Sequence, residues 1–192
     1  MLKTYSIEQL IRFDPWYTLR KFNLPYGNKK DLNALDILKL NIPAEHRLWF
    51  ILSPNFLPDI VFHKFGCSCA DEALKFVYNT DPRIIMAIEA KRKWIDKKIS
   101  YVELNKIRGI VNDIYIDSIS KYQLGGINKV DLHINRVAYH VLDDYASDSA
   151  NDTYRQTIEA ANCVSVNIDE LNEKLIYMLY DLLQEWIGDG CI

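Results

Sequence analysis

Apolar side chains recur three and four positions apart along most of this chain, and strict apolar-polar alternation is almost absent. That period predicts helices and few strands. Start signals punctuate it: Ser6 with Gln9 and Ser100 with Glu103 read as capping boxes, and Asp14-Pro15 and Asp81-Pro82 each place a cap before a first-turn proline. Pro43 and Pro58 also stand where a first turn would begin. The pattern predicts helices over 7–13, 15–22, 31–39, 43–52, 58–79, 82–97, 101–121, 129–146, 152–163 and 168–187. Gly125 and Gly126 end the long central one. The last helix, with Leu175, Met178, Leu179, Leu182, Leu183 and Trp186, is apolar enough to lie against several neighbours.

The expected fold is therefore all-α, a multi-helix bundle or compact helical array with short connections. The acidic, small-residue stretch "DDYASDSAND", 143–152, is the best candidate for a link. The division that follows is a helical domain over 1–146 with its core at 43–121, and C-terminal helices over 147–192 packing on it or forming a small second lobe.

In 82–97, Ile84, Ala87, Ile88 and Ile95 share one face with Trp94 beside it, while Glu89 precedes Arg92 and Lys93 by three and four positions. Such spacings support ion pairs on a helix surface. Between Gly66 and Ala73 the residues Gly66, Cys67, Ser68, Cys69, Ala70 and Ala73 are small, so a neighbouring helix can come close.

The chain of 192 residues is 49% hydrophobic and 26% charged, which is ordinary globular composition. A net charge of -3 gives no basic field toward nucleic acid. The densest basic run, Lys91, Arg92, Lys93, Lys97 and Lys98, is diluted by Glu89 and Asp96 and reads first as a solvated helix face, second as a phosphate stripe. No apolar stretch approaches the ~20 residues that span a bilayer. The first residues, "MLKTYSIEQLIRF", lack the apolar run that export requires, so a cytoplasmic setting with reduced Cys67, Cys69, Cys163 and Cys191 is expected.

His63 and Cys67 are four apart and face one side of a helix, but Cys69 lies about 200 degrees round from Cys67 and no Cys-x-x-Cys accompanies them. His133 and His140, with Asp143 and Asp144 just beyond, form the one histidine-carboxylate group to which a metal-dependent enzyme could be assigned. Seven residues separate the two histidines by about 10 Å along a helix, a poor ligand spacing. No nucleophile motif, phosphate loop or dinucleotide fingerprint occurs. No catalytic residue, metal ligand or cofactor is assigned. Four tryptophans and twelve tyrosines suit core anchors and a protein-binding face alike.

The stretch "HRLWFILSPNFLPDIVFHKFGCSCADEALKF", followed by "DPRIIMAIEAKRKWIDKKISYVELNKI", resembles the helical domain of a family of immunity proteins, the fifth immunity type of bacterial polymorphic toxin systems, which also occurs in phage-encoded proteins. The likeness covers about residues 43–120 and is carried by helix caps and packing positions. Family members continue into an Ala-rich helical region, whereas this chain has "IRGIVNDIYIDSISKYQLGG". The resemblance implies a non-enzymatic inhibitor whose partner is a protein, either a toxin or a host defence enzyme. A basic target would be steered by acidic positions, and those available are Asp143, Asp144, Asp148, Asp152, Glu159, Asp169, Glu170 and Glu173. A phage accessory protein associated with nucleic acid is the remaining alternative.

Overall fold

The computed structural model describes residues 2–6, 9–10, 31–54 and 56–188. A short antiparallel pair, β1 (Thr4–Ser6) and β2 (Asp31–Asn33), is joined by helices α1 (Ala34–Leu38), α2 (Ala44–Ile51), α3 (Asp59–Leu74), α4 (Pro82–Ile95), α5 (Tyr101–Gln123), α6 (Lys129–Val141), α7 (Ala146–Cys163) and α8 (Ile168–Gly188). The fold class is all-α. Among the described residues no helix is long and apolar enough to cross a membrane.

The caps act as their sequence predicts. Ser6 and Gln9 exchange side-chain and main-chain hydrogen bonds, Asp81 accepts from the Arg83 N–H at the start of α4, and Ser100 and Glu103 close a capping box on α5. The predicted helix at 15–22 and most of that at 7–13 lie outside the described residues.

Several boundaries differ. Residues 31–33 pair with β1, Tyr5 opposite Leu32, before Asn33 caps α1 by a capping box with Asp36. Three-residue strands are too short to display alternation. The helix expected over 58–79 stops at Leu74, and the chain is extended at Asp81 where it enters Pro82. The helix expected to run to 146 ends at Val141, and α7 begins at Ala146 rather than 152. Residues 146–152 are therefore helical, with Ala146, Ser149 and Ala150 buried.

The described residues of Met1–Val61 and Asp169–Ile192 form one compact unit, and Phe62–Ile168 form a second; the stretch 143–152 lies inside the second. In the first unit, Leu32, Ile37, Leu48, Ile51, Leu175 and Leu179 are among the buried residues. Arg47 donates to the Leu38 carbonyl at 2.9 Å and pairs with Glu173. Tyr5 stacks on Phe56 with ring centres 4.3 Å apart.

The second unit has a continuous apolar core, to which α4 gives Ile84, Ala87 and Ile88, α5 gives Leu104, Val111 and Ile114, and α6 gives Ile134, Val137 and Val141. Helix α3 enters this core through Cys67, Ala70 and Ala73 and α7 through Ala160, the small residues that close packing requires. A Cβ placed on Gly66 would lie 3.7 Å from the Cα of Ala150, and the Thr157 hydroxyl lies 3.1 Å from the Cys69 carbonyl oxygen. The small-residue stripe of α3 thus serves the helix approach expected of it.

Candidate functional site

The most unusual side chain of the second unit is Lys91. It belongs to the basic run, yet it is 0% exposed, whereas Lys93, Lys97 and Lys98 are exposed. Its position explains this: Lys91 follows Ile84, Ala87 and Ile88 at helical spacing and faces the core with them. The ammonium donates to the Asp143 carbonyl oxygen at 2.6 Å and lies 4.4 Å from the centre of the Trp94 ring. Burial pulls its pKa down to about 8, against the opposing pull of Cys67, Asp143 and Asp144. Arg92 pairs with Asp71 and Lys98 with Asp96. The run is therefore not one solvated stripe of cations.

Above Lys91 lies the connection between α6 and α7. Arg108, on α5, reaches the Asp143 and Asp144 carboxylates at 3.2 Å each. The Tyr101 hydroxyl donates to Asp144 at 3.1 Å, and the Tyr145 N–H donates to Asp143 at 3.3 Å. Partial burial raises the Asp144 pKa, but its main-chain bond, Tyr101 and Arg108 outweigh it and hold the carboxyl below its usual value. Asp144 raises the Tyr101 phenol in turn, by accepting its hydrogen bond. Tyr145 is 71% exposed and Tyr101 47%. The result is a short acidic corner held from beneath by two cations, with two tyrosines presented to solvent. Fixed aromatic and hydrogen-bonding groups of this kind limit the entropy lost when a partner docks.

His63 and Cys67 lie near the same lysine. The His63 ring meets Trp94 edge-on at 5.0 Å, and its Nδ1 is buried with no hydrogen-bond partner among the described residues. Burial, reinforced by Lys91, pushes the His63 pKa down to about 3, so the ring is neutral. Burial pushes the Cys67 thiol up to about 11 and Cys69 well above its usual value. These are packed thiols, with little thiolate to act as nucleophile or ligand.

The second histidine group is divided. Nδ1 of His133 lies 2.9 Å from the Gln156 amide oxygen, in the interior. His140 instead faces Asp152 at 3.6 Å, and burial lowers its pKa against the pull of that carboxylate. Asp143 is engaged by Arg108, so the structure does not bring His133, His140 and Asp143 together around one point. Among the described residues no group of three His, Cys, Asp or Glu side chains is arranged to hold a metal ion.

The eight acidic candidates fall into both units. Asp143, Asp144, Asp148, Asp152 and Glu159 belong to the second, where Arg108 compensates the first two and Arg155 lies 3.0 Å from Asp152. Asp169, Glu170 and Glu173 belong to the first, with Glu173 paired to Arg47. Sequence reasoning missed Tyr101, Arg108 and Lys91 as members of the corner. The available signal was Lys91 itself, a cation in phase with the apolar face of its helix. No protein-family model, no curated protein and no solved structure matches this chain.

Proposed function

We propose that this chain is a non-enzymatic helical binding protein that neutralises a protein target in the bacterial cytoplasm, as an immunity-type inhibitor of a toxin or a phage-encoded inhibitor of a host defence enzyme. One observation carries the binding part: the Asp143–Tyr145 connection is held by a fully buried lysine and by Arg108, while Tyr101 and Tyr145 stay exposed beside Asp144. A buried charge is costly, and here it fixes a surface corner. The ammonium is enclosed between the Asp143 carbonyl oxygen and the Trp94 ring, where it supports the corner. The immunity-type class is supported by the resemblance over residues 43–120.

Compensation by Arg108 and Lys91 makes contact through Tyr101, Asp144 and Tyr145 the source of specificity, rather than a broad acidic field. The test is comparative capture from host lysate with the native chain and a Tyr101→Ala, Asp144→Ala, Tyr145→Ala variant, followed by assay of any captured enzyme with and without the native chain. The reading expects one protein retained by the native chain, lost by the variant and inhibited on binding. Retention of nothing above background, of the same proteins by both chains, or of a target whose activity is unaltered counts against it.

A further inference from the structure

A cleft in the second unit, lined by none of the corner residues Lys91, Tyr101, Arg108, Asp143, Asp144 and Tyr145, combines an apolar floor with a charged rim. Its volume is about 180 Å³, and Val77, Ile114, Ile127 and Ile134 line it together with polar residues from the starts of α4 and α6 and the end of α5. Ile114 and Ile134 are buried core residues, so the floor is fixed.

Charge on the rim is asymmetric. Arg83 grips Asp81 through Nε at 3.0 and 3.1 Å and through its terminal nitrogen at 2.6 Å, and Asp81 also caps α4. Lys121 pairs with Asp117 at 2.7 Å one turn away. The Arg83 pair holds the Asp81 carboxyl below its usual value. Both rim cations are thus engaged by carboxylates. Asp131, in the first turn of α6, also lines the cleft, and no cation pairs with its carboxylate among the described residues. An anion entering here would compete with two formed ion pairs, whereas a cation meets an uncommitted carboxylate.

Size and floor narrow the ligand further. Sites for free small molecules usually enclose about 300–1,000 Å³, so this cleft suits one side chain. An aliphatic floor beneath an anionic rim matches a long methylene stem with a charged tip, the form of lysine and arginine. We propose that the cleft receives one lysine or arginine side chain of a protein partner, with its stem on Ile114, Ile127 and Ile134 and its cation at Asp131. The proposal adds a second contact to the binding reading, and its test needs no identified target, so the two can fail separately.

The experiment follows the isoleucine methyl signals of the full chain by NMR during titration with arginine and lysine blocked at both ends as N-acetyl methylamides. Blocked norleucine, blocked glutamate and a short free diamine are the comparison probes. The expected result is a saturable shift at Ile114, Ile127 and Ile134 with the blocked cations, absent with norleucine and glutamate. It is weakened about tenfold in Asp131→Asn and unchanged in Asp148→Asn. Asp131→Ser, equally tolerated in a first helical turn, replaces Asp131→Asn if circular dichroism shows that variant misfolded. The proposal is overturned by no saturable shift at millimolar probe, by an equal response to norleucine, by undiminished binding in the Asp131 variants, or by binding of the diamine alone, which would make this a metabolite site.

Discussion

The Nζ of Lys91 donates to the main-chain oxygen of Asp143 at 2.6 Å, tying the middle of α4 to the turn that ends α6. The bond gives the Asp143 carbonyl a partner from another helix, and the Trp94 ring lies against the same ammonium. Removing this side chain should therefore loosen a surface turn through the core.

Lys91→Ala deletes a packed stem and strands a carbonyl, so urea unfolding should show a loss of about 2–4 kcal/mol. Lys91→Met keeps the stem and lifts the cost of burying charge, and should recover at least half of that loss. Equal loss in both variants would mean that the ammonium rather than the stem dominates.

Alkaline stability follows from two opposed shifts. Lys91 titrates near 8 in the folded chain and near 10.5 unfolded, so between those values the unfolded chain binds more protons and stability rises with pH. Cys67 titrates near 11 folded and near 9 unfolded, so above 9 the folded chain keeps the proton and stability falls. Denaturation midpoints should rise between about pH 8 and 9 and then level or decline. In Lys91→Met the rise should vanish.

At the acid side His63 is held near 3 against 6.5 unfolded, so stability is full above 6.5 and is lost progressively as pH falls toward 3. Each such histidine contributes a slope of up to about 1.4 kcal/mol per pH unit. His63→Phe should flatten the fall between about pH 6.5 and 5 without abolishing it, because His140 is depressed in the same direction. Melting temperatures across that interval check it.

Two glycines should respond in opposite ways. Gly109 lies within α5, exposed, with nothing within 4 Å of an added Cβ, so Gly109→Ala should stabilise by about 0.5–1 kcal/mol. At Gly66 an alanine fits at ordinary contact distance from Ala150, but Gly66→Leu should part α3 from α7 and cost about 1–3 kcal/mol. Thermal unfolding of the three variants settles both.

Local signals were legible in the sequence and long-range ones were not. The caps at Ser6, Asp81 and Ser100 involve neighbours two or three residues away, and each forms as its pattern predicts. The α4 face of Ile84, Ala87 and Ile88 is buried, as its spacing requires. The start of α7 was hidden because its interior positions include Ser149, Thr153, Gln156 and Thr157, polar side chains that reveal burial only when their partners are known. The candidate corner was half visible: Asp143 and Asp144 could be named as acidic, but Arg108 and Lys91 lie 35 and 52 residues from Asp143. No short-range pattern reports such pairings.

The unit formed by both flanks of the chain around Phe62–Ile168 sets an order of events during translation. The inserted stretch is uninterrupted, so it can settle once it has left the ribosome. Arg47 must wait for Glu173 to be synthesised before it finds its counterion. Nascent chains stalled before that codon should already resist protease across the inner unit and remain cleavable near α2.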